Sequence, residues 1–143
     1  MRPLKNYAEM ENIKNSDLIS ATDLQSHQNL AADLDLAKFK KVHFIGIGGI
    51  GVSAVAKMML NQGKSVSGSD ISESPITLNL ANFGAIVHIG QRASNVPPEA
   101  DLVVYTVAIK EDNPELVEAR RRGLRVATYP EVLGVISKEK FTI

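Results

Sequence analysis

Lys41-Val-His-Phe-Ile-Gly-Ile-Gly-Gly-Ile-Gly51 sets a short apolar run against four glycines and then passes into a helical pattern. The bulky residues Val42, Phe44, Ile45 and Ile47 suit a strand buried on both faces, as parallel strands are. After Gly51, the residues Val52, Val55, Ala56, Met59 and Leu60 recur at the steps of one apolar helix face. Gly46, Gly48 and Gly51 therefore stand in G-x-G-x-x-G spacing between a strand and a helix. A helix start offers unpaired N–H groups and the positive end of its dipole, which together favour a phosphate. The stretch reads as the phosphate loop of a nucleotide-binding βαβ unit.

Composition narrows the field around that loop. At 143 residues the chain is long enough for one domain of ordinary size. Sixteen basic and sixteen acidic residues cancel. Any phosphate contact must then come from local geometry, and nucleic acid is not an expected partner. The absence of cysteine excludes a disulfide framework and thiol chemistry. No apolar run approaches the ~20 residues that span a bilayer, and no signal-peptide core stands at the N-terminus, so no membrane partner and a cytoplasmic location are expected.

Residues 1–38 differ from the rest, with six acidic residues against four basic and no glycine. They are expected to form a mobile or loosely docked arm, with a short helix capped at Thr22-Asp23 as the alternative. The nucleotide-binding domain is expected over 39–143. Beyond the first helix, Gly63 stands as a C-terminal cap and Lys64 to Ser69 reads as a strand. Gly63-Lys64-Ser65 resembles the end of a Walker loop, but Met58 occupies the position where that motif needs its first glycine. The strand ends at Ser69-Asp70, nineteen residues past Gly51 and close to the spacing at which an acid meets ribose hydroxyls. The competing reading of Asp70 is a turn or helix cap, since Ser72, Glu73, Ser74 and Pro75 follow.

Pro75 opens a helix that Gly84 stops, Ala85 to Ile89 is a third strand, and a turn-rich stretch leads to Leu102-Val-Val-Tyr105. Thr106 to Lys110 then lies where open α/β sheets place ligands. Asn113-Pro114 caps a helix ending in Arg120-Arg-Arg122, whose charges suit its dipole. Arg125 to Thr128 is a fifth strand, Pro130 to Ser137 a short helix, and Lys140 to Ile143 reads as the start of a further strand. That last feature leads to the expectation that the chain is the first part of a longer protein. The alternation predicts an α/β, doubly wound, mainly parallel five-stranded sheet with helices on both faces.

Candidates for chemistry are few. His43 lies inside a strand and reads as a satisfied core histidine, while His27 and His88 stand apart. No His/Asp/Glu set has metal-ligand spacing, and no serine stands on a nucleophile turn, so no catalytic residue and no metal are expected. The glycine loop, Ser69, Asp70 and Thr106 remain as binding candidates. An NAD-binding domain of an oxidoreductase or redox regulator fits the same glycines and acid.

Three segments carry a resemblance. His43-Phe-Ile-Gly-Ile-Gly-Gly-Ile-Gly51-Val-Ser53, Ser67-Gly-Ser-Asp70 and Val103-Val-Tyr-Thr-Val-Ala-Ile109-Lys-Glu-Asp-Asn-Pro-Glu115 are similar to the Rossmann-like N-terminal domain of the Mur ligases, in particular those acting on UDP-N-acetylmuramate and L-alanine. The likeness runs from about Lys40 to Ile143. It implies that Gly46, Ile47, Gly48, Gly49, Ile50 and Gly51 hold the UDP diphosphate. Ser69 and Asp70 would border the uridine, and Thr106, Ala108 and Ile109 would line nucleotide and diphosphate. It further implies peptidoglycan precursor synthesis, with UDP-N-acetylmuramate, or a related UDP-sugar, as the ligand of this chain. ATP, magnesium and L-alanine would be used only by domains beyond it, leaving this chain without cofactor or activity of its own. Relatives often carry Gly-His where this chain has Gly90-Gln91, and a second hydroxyl residue where it has Val107.

Overall fold

A computed structural model describes residues 34–141; the expectations for the N-terminal arm and for Thr142-Ile143 lie outside them. Within the unit Asp35–Ile143, the chain runs β1 (Lys41–Ile45), α1 (Ile50–Asn61), β2 (Ser65–Asp70), α2 (Pro75–Asn82) and β3 (Ile86–Ile89). It continues through β4 (Leu102–Tyr105), α3 (Pro114–Arg121), β5 (Arg125–Thr128) and α4 (Tyr129–Phe141). All four strand pairings are parallel, in the order β3-β2-β1-β4-β5. The expected doubly wound α/β sheet is the fold observed. No described helix is long and apolar enough to cross a membrane.

The strand order reverses at β1. Right-handed crossovers then send α1 and α2 over one face of the sheet and α3 over the other. Side chains alternate accordingly. Ile45 and Val103 meet Leu116 and Ala119 of α3 together with Val96 and Ala100. Phe44, Leu102 and Val104, a residue out of phase with them, are likewise fully buried. The central strands are thus apolar on both faces, which is why they read as near-continuous hydrophobic runs.

Local chemistry sets the helix ends. Ser74 and Thr77 form a reciprocal capping box at α2, with Pro75 in its first turn. Asn113 caps α3 through Glu115 and Leu116 N–H. Thr128 and Glu131 exchange the same kind of bonds at the start of α4: Thr128 N–H donates to Glu131 Oε1 at 2.8 Å, and Glu131 N–H to Thr128 Oγ1 at 3.2 Å.

Three expectations about element boundaries are corrected. β1 stops at Ile45, so Ile47 lies in the loop, where its side chain is buried and lies against the Gly68 backbone of β2. α1 begins at Ile50 behind the N-cap Gly49, which places Gly51 inside the first turn. No strand begins at Lys140: α4 runs on through Phe141. The good helix formers Lys138, Glu139 and Lys140 carry it past Ser137.

Candidate functional site

The C-terminal ends of β1, β2 and β4 open into a cleft of about 890 Å³. Gly46, Gly48 and Gly49 form one wall of it, Asp70 and Ile71 a second. The turn after β4 contributes Thr106, Ala108 and Ile109, and Gln91, Asn113 and Pro114 close the remaining side. The strand-order reversal at β1 produces this crevice, because the connections on its two sides leave in opposite directions.

The loop is shaped by the end of β2. Gly46 and Ile47 N–H both donate to the Ser69 carbonyl at 2.9 Å. Gly46 has φ +87, a left-handed conformation that favours glycine, and a Cβ there would come within 3.3 Å of the Thr106 side chain. Gly48 N–H donates to Asp70 Oδ2 at 2.8 Å, while Asp70 Oδ1 accepts from Ile71 N–H at 2.8 Å. The carboxylate thus bridges the two walls. Its alternative role as a helix cap is taken instead by Ser74.

α1 differs from its neighbours at its start. Its N-cap is Gly49, no side chain caps it, and no acidic residue stands in its first turn. The first-turn N–H groups are therefore left for an incoming anion. Gly51 belongs to that turn, and the space a Cβ on it would need is taken by the ring and hydroxyl of Tyr129, the first residue of α4.

The cleft brings together seven of the expected site residues: Gly46, Gly48, Gly49, Asp70, Thr106, Ala108 and Ile109. Four others do not line it with side chains, although Ile50 and Gly51 contribute first-turn N–H groups of α1. Ile47 is buried beneath the loop, the Ile50 side chain is 83% exposed, Gly51 faces Tyr129, and Ser69 is fully buried. Ser69 Oγ points inward and donates to Glu115 Oε1 at 2.8 Å.

Glu115 is the residue that sequence reasoning passed over. It is fully buried under the cleft and accepts from His43 Nε2 at 2.6 Å and Asn95 Nδ2 at 2.8 Å, besides Ser69. Arg92 N–H completes the set at 3.1 Å. His43 is the satisfied core histidine its position predicts, with Nδ1 held by Ser67 Oγ at 2.7 Å. Burial alone would raise the Glu115 carboxyl. The hydrogen bonds from His43, Asn95 and Ser69, with the charge interaction with His43, outweigh it and hold the group below the ordinary glutamate value. The signal in the sequence was an acidic residue directly after a first-turn proline, which reads equally well as dipole compensation.

A second polar relay reaches the cleft wall. Asn113 Oδ1 is occupied by the α3 N–H groups, so its Nδ2 donates, to Gln91 Oε1 at 2.8 Å. The amide nitrogen of Gln91 is then the donor this residue keeps in a wall of the cleft.

Comparison with known proteins adds a family, two relatives and two solved structures. Residues 41–141 match the family model described as Mur ligase family, catalytic domain. A UDP-N-acetylmuramate--L-alanine ligase of Clostridium beijerinckii is 50% identical over 101 residues, 71% of this chain and 22% of that protein. One of Acetivibrio thermocellus is 49% identical over 106 residues, 74% of this chain and 22% of its own length. Among solved structures, the UDP-N-acetylmuramate-alanine ligase of Thermotoga maritima has 37% identity and a TM-score of 0.67, covering 71% of this chain and 23% of that one. A murein peptide ligase of Psychrobacter arcticus has 28% identity and a TM-score of 0.58 over 64% of this chain and 19% of its own. The chain spans less than a quarter of the length of these proteins.

Proposed function

Because the chain belongs to the Mur ligase family, we propose that the cleft at the strand ends binds the UDP moiety of UDP-N-acetylmuramate. The observation that carries this reading is the uncapped start of α1, placed beside a loop in which backbone and not side chains faces the ligand. A diphosphate would take the first-turn N–H groups of α1. Asp70, at the end of β2, would accept from ribose hydroxyls, and Thr106 with Ala108 and Ile109 would bound the ligand on the β4 side. With zero formal net charge on the chain, the attraction for the anion is local, from these fixed dipoles and from Lys110, which also lines the cleft.

The full-length enzyme, on this reading, joins L-alanine to UDP-N-acetylmuramate at the expense of ATP in cytoplasmic peptidoglycan precursor synthesis. ATP and magnesium act there outside the residues described. This chain holds the UDP-sugar and supplies no catalytic group.

Calorimetric titration of the chain with UDP-N-acetylmuramate, with UDP-N-acetylglucosamine and with NAD tests the assignment. Binding of the UDP-sugars without NAD is expected. Binding of NAD alone would replace the ligase reading with that of a redox domain, which the same glycines and Asp70 would also serve.

A further inference from the structure

The cleft is held from beneath by a carboxylate that does not line it. Both oxygens of Glu115 carry two donors each: His43 Nε2 and Ser69 Oγ on Oε1, Asn95 Nδ2 and Arg92 N–H on Oε2. That fills the acceptor positions an ionised carboxylate offers. Burying a charge at 0% exposure is unfavourable unless every acceptor is met in this way. An apolar side chain would fill the space without that constraint.

What distinguishes this cluster is where its arms end. Ser69, whose hydroxyl Glu115 holds, is also the residue whose carbonyl takes Gly46 and Ile47 N–H, and it directly precedes Asp70. Arg92 directly follows Gln91, a wall of the cleft. Asn95 Nδ2 also donates to the Gly90 carbonyl at 2.9 Å, and Gly90 N–H donates to the Asp70 carbonyl at 2.7 Å. The N–H of Glu115 itself is capped by Asn113, which holds Gln91. The arms thus reach the glycine loop, Asp70 and the Gln91–Asn113 wall.

We propose that Glu115 is a positioning residue of the ligand cleft: it sets the spacing of the glycine loop, Asp70 and Gln91 without touching the ligand. This rests on reading the cleft as the UDP-sugar site. The sheet alone does not supply that spacing. Strand pairing aligns β1, β2 and β3, and Gly90 N–H extends it to the Asp70 carbonyl, but the turn from Arg92 to Asn95 and the start of α3 are joined to β1 and β2 through the side chains of Glu115 and Asn95. A carboxylate at the hub accepts from every direction at once, whereas an amide there must turn a donor toward one of the same donors.

The test compares Glu115→Gln with Leu116→Ala, which opens a cavity on the same helix and serves as a destabilised control. Amide resonances are recorded without ligand, and affinity for UDP-N-acetylmuramate is measured well below both melting temperatures. In Glu115→Gln the amides of Gly46, Ile47, Gly48 and Gln91 are expected to shift more than in the control. Its affinity should fall by about ten- to a hundred-fold, as when a group that orients a ligand-binding residue is lost, while the control binds as the parent does. Unshifted loop amides, or an equal loss in the control, overturn the proposal. If the parent chain binds no UDP-sugar, the proposed function fails, yet the ligand-free amide shifts still decide the role of Glu115. Should Glu115→Gln not fold, Asn95→Ala takes its place. Movement of the Gly46 and Gly48 amides, which Asn95 does not contact, then supports the relay, and their constancy refutes it.

Discussion

Asp70 engages Gly48 and Ile71 N–H with its two oxygens, so its carboxylate stands at the loop before any ligand arrives. In the bound state it would exchange part of this for ribose hydroxyls. Asp70→Ala should therefore weaken UDP-N-acetylmuramate by roughly 1.5–3 kcal/mol, about ten- to a hundred-fold, with calorimetry as the measure. Gly48→Val acts at the same place. A Cβ on Gly48 would lie 2.7 Å from Asp70 Oδ2 and 3.1 Å from Thr77 Cγ2, so the branched side chain displaces the carboxylate and narrows the approach to the loop. Binding should be lost with the helical circular dichroism retained; unchanged affinity would dissociate the loop from the ligand. Glu115 makes a prediction in stability. Its folded pKa lies below the ordinary glutamate value, so the stability it contributes is complete above that value and is lost as pH falls through the folded one. Glu115→Gln, which breaks a buried pair with His43, should cost roughly 3–5 kcal/mol near neutrality. The difference in urea midpoint between the two proteins should shrink on acidification below about pH 4.5, and a pH-independent gap would contradict an ionised Glu115.

At the level of elements, glycines with the same lack of side chain carry opposite consequences. Gly68 lies in β2 under the loop, and a Cβ there would sit 2.5 Å from Ile47 Cδ1 and 2.8 Å from the Phe44 carbonyl oxygen. Because backbone blocks one side, Gly68→Ala should destabilise by roughly 1–3 kcal/mol. Gly134 stands within α4, where a methyl group in place of its hydrogen would meet no other element within 4 Å among the described residues. Gly134→Ala should stabilise by about 0.5–1 kcal/mol, through the lower backbone entropy of alanine in the unfolded chain. Chemical denaturation of both variants reads the two signs. The apolar periodicity of α1, the first-turn proline of α2 and the Asn113-Pro114 cap of α3 could be read directly from residues within a turn of one another. The role of Gly68 could not, because its constraint comes from Ile47, a residue on another element.

For the molecule as a whole, burial is graded across the sheet. β1 and β4 are flanked on both sides and their side chains are largely buried, whereas β3 is an edge strand whose Ile86 and Ile89 are exposed. Native-state hydrogen exchange should accordingly protect the amides of Val42 to Ile45 and Leu102 to Val104 most strongly, and release those of β3 at lower free energy. Equal protection across the sheet would contradict this gradient. The cleft lies at the ends of β1 and β4, so its glycine loop springs from the most deeply buried strands while Gln91 follows the exposed edge strand β3. The Glu115 network spans that difference, joining the turn after β3 to β1 and to the end of β2.

The α/β alternation, the glycine loop after β1, the acid at the end of β2 and the turn after β4 were all determined by the sequence itself. Each is written in spacing along the chain: a strand period, a helix period, a glycine where the backbone turns. Tertiary structure alone decided that Ser69 faces inward and that Ile47 packs beneath its own loop. It also decided that Gly51 makes room for Tyr129 and that Glu115 meets His43, 72 positions earlier. Such contacts join residues on elements brought together by the strand order, and no local periodicity specifies which buried polar groups will then find one another.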